Sequence, residues 1–200
     1  MSLADRLRRA LDESALSDVI RLAGDDRGVP FAGEATLMPA AVLMAVTDRE
    51  EPGVLLTLRN AALRRHAGQV AFPGGRIDPE DDGPIAAALR EAEEEIGLPV
   101  SAVEVIGAVE PYRTVTGFDV TPVIGVVPPD LVLSPHAAEV AAVFEAPLLH
   151  LLEPANFVER TIVHEGRERR YFELMWHEYR IWGATAAMIL NIGRRLAGRL

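Results

Sequence analysis

The chain has 200 residues, 49% of them hydrophobic and 25% charged, which suits one globular domain with a sizeable core and does not call for two. Its net charge of −10 argues against a general nucleic-acid binder, no apolar run is long enough to span a bilayer, and the first twenty residues lack the apolar core of a secretory signal. Cysteine is absent, so disulfides and thiolate metal sites are excluded and a reducing, cytoplasmic setting is expected.

In chain order, residues 3–23 read as one or two amphipathic helices. Residues 24–33, with paired aspartates and Pro30, read as a connector. Apolar, partly β-branched runs at 40–46 and 54–58 are expected to be strands. The stretch 59–66 then carries Arg59, Arg64, Arg65 and His66 with no acid, which is unusual in so acidic a chain. A short strand at 69–72 runs into Pro73-Gly74-Gly75. Further strands are expected at 103–109, 120–127 and 140–144, with a short helix near 147–152. Residues 157–163 and 170–175 are expected to pair across Glu165-Gly166. A last helix covers about 183–197. Trp176 and Trp182 are read as core, and the arginines around the 165–166 turn as a solvated hairpin. Strands on both sides of a helix, with mixed connections, point to an α/β sandwich.

The most telling segment lies between those strands. Pro84 suits the start of a helix and Gly97 its left-handed end, so a helix is expected over about 84–96. At about 100° per residue, Ile85, Leu89, Ala92 and Ile96 form its buried stripe. Glu91, Glu94 and Glu95 share another face through their i, i+3 and i+4 spacing, and Glu93 points elsewhere. Four carboxylates at a C-terminal end oppose the helix dipole, each at a cost of about 0.3–1 kcal/mol. A divalent cation held by those oxygens removes the conflict. The competing reading is a merely solvated acidic face.

The residues upstream decide between them. Gly75 to Gly83, followed by Arg90-Glu91-Ala92-Glu93-Glu94-Glu95-Ile96-Gly97-Leu98, resembles the Nudix box, the signature of hydrolases acting on a nucleoside diphosphate linked to another group. The spacer is one residue longer than usual. An Asp replaces the first Glu: Asp81 counting from Gly75, Asp82 counting back from Arg90. Ala92 fills an aliphatic slot. The run Leu55-Leu56-Thr57-Leu58-Arg59, continuing through Arg64 and Gly68-Gln69-Val70-Ala71-Phe72-Pro73-Gly74-Gly75, is similar to the motif that precedes the box in the coenzyme A pyrophosphatase branch. Asn60 departs from the small residue usual there. Thr114 to Phe118 and Ile181 to Ala186 resemble other segments of that branch, so the similarity covers roughly residues 38–195.

The resemblance implies a Nudix-type α/β/α sandwich with a mixed sheet over 38–200, preceded by a helical extension over 1–37. It implies metal-dependent hydrolysis of the pyrophosphate of coenzyme A or an acyl-CoA, with Mg²⁺ or Mn²⁺ as cofactor. Glu91, Glu94 and Glu95 are the expected metal ligands, hard oxygen donors suited to either ion. Glu94, Arg90 and Glu139 are the expected catalytic residues, Arg90 orienting Glu91 or Glu94 and Glu139 serving as general base. Glu145 is the second choice for the base. Gly74 and Gly75 allow close backbone approach, and Arg59 and Arg64 are expected on substrate phosphates, the 3′-phosphate of coenzyme A among them. The partner is a small molecule, with neither nucleic acid nor membrane. The number of chains in the assembly and the acyl preference stay open. ADP-ribose as substrate and a non-catalytic nucleotide-binding module are the alternatives. No P-loop, HExxH motif or GxSxG elbow is present.

Overall fold

The computed structural model describes residues 1–13, 37–63, 66–164 and 167–199. The connector at 24–33, Arg64, Arg65 and the turn at 165–166 lie outside the described residues, as does the stretch 14–23 of the expected N-terminal helices.

The frame is a mixed eight-stranded sheet. β1 (Met38–Thr47), β2 (Gly53–Arg59), β3 (Val70–Ala71), β4 (Gly74–Arg76), β5 (Glu104–Ala108), β6 (Tyr112–Arg113), β7 (Phe118–Val127) and β8 (Val140–Pro147) build it. The order β3-β2-β1-β7-β5 forms its spine, with β4 paired to β1, β6 to β7 and β8 to β2. β1 and β7 run parallel in unbroken register from Met38↔Phe118 to Thr47↔Val127. Both are buried over most of their length, as near-continuous Ala/Val/Leu/Ile runs require of central strands covered on two faces.

Helices cover both faces. α1 (Leu3–Glu13) and α4 (Ala184–Leu196) pack on one, where Leu3, Leu7, Leu11, Ile189 and Leu196 join Ala40, Met44 and Ile124 in the larger core cluster. α2 (Gly83–Ile96) packs on the other, against Ala41, Leu43, Ala45 and Val123. The layering is therefore α/β/α, as expected. The first helix is a full member of this core. α3 (Leu148–Leu152) follows β8. β9 (Val158–His164), β10 (Arg167–Trp176) and β11 (Tyr179–Trp182) form a separate antiparallel sheet in the order β11-β10-β9. The 157–163 and 170–175 pairing is present there, and β11 is an addition to it. Among the described residues, no helix is long and apolar enough to cross a membrane.

One expectation about α2 needs correction. Its buried residues are Ala87, Ala88, Ala92, Glu95 and Ile96, whereas Ile85 is 36% exposed and Leu89 only half-buried. The helix presents small alanines to β1 and β4, which lets the backbones approach closely. The packing stripe is thereby rotated away from the bulkier residues and takes in an acid. Gly97 ends the helix in the left-handed conformation at φ 67°, its N–H bonding to Ala92 O and Glu93 O.

Candidate metal and pyrophosphate site

The α2 carboxylates meet the Gly74-Gly75 strand and the end of β2. Glu95 is 4% exposed, although it is an acid. Its Oε2 accepts from the Gly74 N–H at 3.1 Å and its Oε1 from Arg59 Nη1 at 3.3 Å. Both partners belong to the 55–75 motif, which thus closes on Glu95 from its two ends. Both glycines are closely approached. A Cβ on Gly75 would overlap the Glu91 carboxylate, and one on Gly74 would overlap the Ala41 carbonyl oxygen. Arg59 Nε is buried without a hydrogen-bond partner, an orphaned donor beside the carboxylates.

Arg90 gathers the rest. Its Nε and Nη2 donate to the two oxygens of Asp81 at 2.9 and 2.8 Å, a bidentate pair. Its Nη1 donates to Glu91 Oε1 at 3.0 Å and Glu94 Oε2 at 3.1 Å, and its Nη2 also to the Arg76 carbonyl at 3.1 Å. The ambiguous acid of the box is therefore Asp81, the residue counted from Gly75; Asp82 is the exposed N-cap of α2. The Arg90 guanidinium holds the Asp81 carboxyl below the ordinary carboxylate range. Arg90 touches both Glu91 and Glu94, where the sequence left the choice open.

The three expected ligands differ in setting. Glu91 is half-buried, and burial pushes its pKa up against the pull of Arg90. Glu94 has a side chain 61% exposed and bound to Arg90. Among the described residues, no three His, Asp or Glu side chains already converge on one point. Arg90 Nη1 bridges one oxygen of Glu91 and one of Glu94, and Arg59 takes one of Glu95. The donor set is nonetheless oxygen only, on one helix face, beside glycines that leave room for the carboxylates, and it fits a hard divalent cation.

Glu139 stands before β8, with its backbone carbonyl accepting from the Asn60 N–H at 2.7 Å and its carboxylate 3.6 Å from His136 Nδ1. The His136 N–H donates to the Glu95 carbonyl at 2.8 Å, so the loop that carries Glu139 is tied to the end of α2, and the Glu139 charge adds to raising the Glu95 pKa. Glu145 lies elsewhere: it reaches the Thr47 hydroxyl and, at 3.2 Å, Arg49 Nε, beside Gly53 at the opposite end of β2 from Arg59. Distance from the site removes it as a base.

Burial is the main force raising the Glu95 pKa, to about 7; Glu91 and Glu139 add to it, and the Gly74 N–H and Arg59 oppose it. A carboxyl raised on folding holds its proton longer in the folded chain than in the unfolded one. The metal-free protein is therefore expected to lose stability as pH rises from about 4.5 to about 7, then level off. The size is on the order of 3 kcal/mol, taking about 1.4 kcal/mol per pKa unit. Urea unfolding in chelator across pH 4.5–8 measures it, against Glu95→Gln as the flat reference. A wild-type profile parallel to that of the variant would refute the raised pKa.

Residues 37–178 match the family model described as the NUDIX domain. The chain is 48% identical over 157 residues to the protein named "Uncharacterized Nudix hydrolase NudL" of Escherichia coli (strain K12), covering 78% of this chain and 82% of that one. Its namesake in Cronobacter sakazakii (strain ATCC BAA-894) is 49% identical over the same shares. The crystal structure of the Nudix hydrolase RenU from M. smegmatis superposes with a TM-score of 0.49 and 27% identity, covering 56% of this chain and 72% of that one.

Proposed function

The chain belongs to the Nudix family of hydrolases, which act on nucleoside diphosphate derivatives, and from that premise we propose that its substrate is coenzyme A or an acyl-CoA. The observation that carries this reading is the closure of the 55–75 motif on Glu95 through Arg59 and Gly74, with a buried Arg59 donor left over. The segment resembling the coenzyme A pyrophosphatase branch thus forms a wall of the carboxylate site.

Glu91, Glu94 and Glu95 would hold Mg²⁺ or Mn²⁺. Such an ion, when bound, neutralises pyrophosphate charge and acidifies water. Arg59 donates to a pyrophosphate oxygen from its position beside Glu95, which takes it away from the 3′-phosphate role expected of it. Arg90, anchored by Asp81, positions Glu91 and Glu94. Glu139 accepts the proton of the attacking water. Water adds across one P–O bond of the diphosphate, giving 3′,5′-ADP and 4′-phosphopantetheine or its acyl form.

Incubation with coenzyme A and Mg²⁺ or Mn²⁺, followed by mass spectrometry, tests the assignment. The expected products are 3′,5′-ADP and 4′-phosphopantetheine, formed only with added metal. Cleavage of ADP-ribose with coenzyme A left intact would discard the substrate and keep the hydrolase. Cleavage of neither would favour the binding-module alternative.

A further inference from the structure

With Arg59 committed to Glu95, a second cation stands out near the site. Arg76 follows Gly75, its Cα about 3.8 Å along the chain, and its carbonyl is tied to Arg90. Its side chain is exposed, and no carboxylate pairs with it among the described residues. In a chain of net charge −10, an exposed arginine with no carboxylate partner among the described residues is available to an anion.

The register fixes where that guanidinium lies. Gly75 pairs with Ala41, on the α2 face, and Arg76 pairs with Ala40, on the opposite face. Ala40 also pairs with Val120, and Met38 with Phe118, so Phe118 shares the Arg76 face. Arg76 Cζ sits 5.8 Å from the centre of the Phe118 ring. That contact is with the ring face of Phe118 and takes up none of the guanidinium's N–H donors in hydrogen bonds to oxygen. Phe118 is itself held firmly. Its N–H donates to Thr114 Oγ1 at 3.0 Å and its carbonyl accepts from the Thr114 N–H at 2.9 Å. β4 pairs only with β1 among the described strands, so no strand covers its outer edge, where the Gly74 N–H and the Arg76 carbonyl meet the Glu95 and Arg90 side chains of α2. A ligand with its diphosphate at the carboxylates can cross that edge to Arg76.

We propose that Arg76, braced on Phe118, is the subsite for a phosphate monoester on the substrate's nucleoside, the 3′-phosphate of coenzyme A. The assignment rests on the coenzyme A reading and gives the Thr114–Phe118 turn a role in it.

Calorimetric titration with adenosine 3′,5′-bisphosphate and with AMP, in Mg²⁺, separates the two ideas because it needs no turnover. The wild type is expected to bind the bisphosphate about tenfold tighter than AMP. Arg76→Met brings that ratio close to one, Arg76→Lys keeps part of it, and Phe118→Leu lowers it. Thermal melts check that each variant folds. A ratio near one in the wild type, or one that survives Arg76→Met in a folded protein, overturns the subsite. A ratio that depends on Arg76 in a protein that leaves coenzyme A uncut supports the subsite while defeating the substrate assignment.

Discussion

Glu95→Gln is expected to lower metal-dependent kcat/KM by on the order of 10³-fold, about 4 kcal/mol of transition-state stabilisation, and to make the metal-free protein more stable at pH 8. The two effects share one cause. Glu95 is an acid buried to 4% exposure, where a charged carboxylate is disfavoured, and its pKa is pushed to about 7. Glutamine keeps the shape and an oxygen to accept the Gly74 N–H, but removes the charge that the fold tolerates poorly and a divalent cation needs. Steady-state kinetics with a metal titration, beside urea unfolding at pH 8, measures both. A variant that lost activity and stability together would indicate a packing defect. Activity within tenfold of wild type would remove Glu95 from the ligand set.

This coupling explains what could be read in advance and what could not. The bounds of α2 were legible because Pro84 and Gly97 are local signals, and the structure differs by one residue at the start. Its buried face was legible only in part: Ala92 and Ile96 lie inward as expected, but hydrophobicity ranks Ile85 and Leu89 above the alanines, whereas close approach to β1 and β4 selects for smallness, so Ala87 and Ala88 face inward instead. Glu95 comes inward with them, and a backbone N–H and an arginine from β2 make that tolerable. No count along the helix reveals either partner, because they lie 21 and 36 residues away.

Arg59 shows the same limit from the other side. Three arginines and a histidine in an acid-free stretch signal an anion, and that inference needs only composition. Which anion depends on where β2 ends relative to α2, and that is a tertiary fact. Asp81 was ambiguous in the sequence because the spacer is one residue longer than usual. The bidentate fork of Arg90 picks it out by geometry, and Asp82 is left exposed at the N-cap position with no capping hydrogen bond from its side chain. β11 was missed because four residues, two of them aromatic, just before a helix carry little periodic signal.

Adjacent glycines give the sharpest separation of fold from chemistry. Gly75→Ala is expected to leave the melting temperature within a few degrees of wild type while lowering kcat/KM by about 10²-fold, or about 2.7 kcal/mol. The three atoms nearest the new Cβ all belong to the Glu91 carboxylate, the far end of a flexible side chain, which swings aside at little cost to the fold. Alanine also restricts the unfolded chain, a gain of about 0.4–1 kcal/mol that offsets part of the crowding. Glu91, once displaced, no longer sits between Arg90 and the glycine strand, and a higher metal concentration is needed for half-maximal rate. Gly74→Ala should behave differently. Its Cβ would meet the carbonyl oxygen of Ala41 in β1, backbone that cannot rotate away, so the sheet itself must open and the melting temperature falls. Thermal melts and metal titrations of the two variants decide the matter. Equal losses of stability at both positions would mean that Glu91 is fixed as rigidly as the strand, and that the site is assembled before any ion arrives.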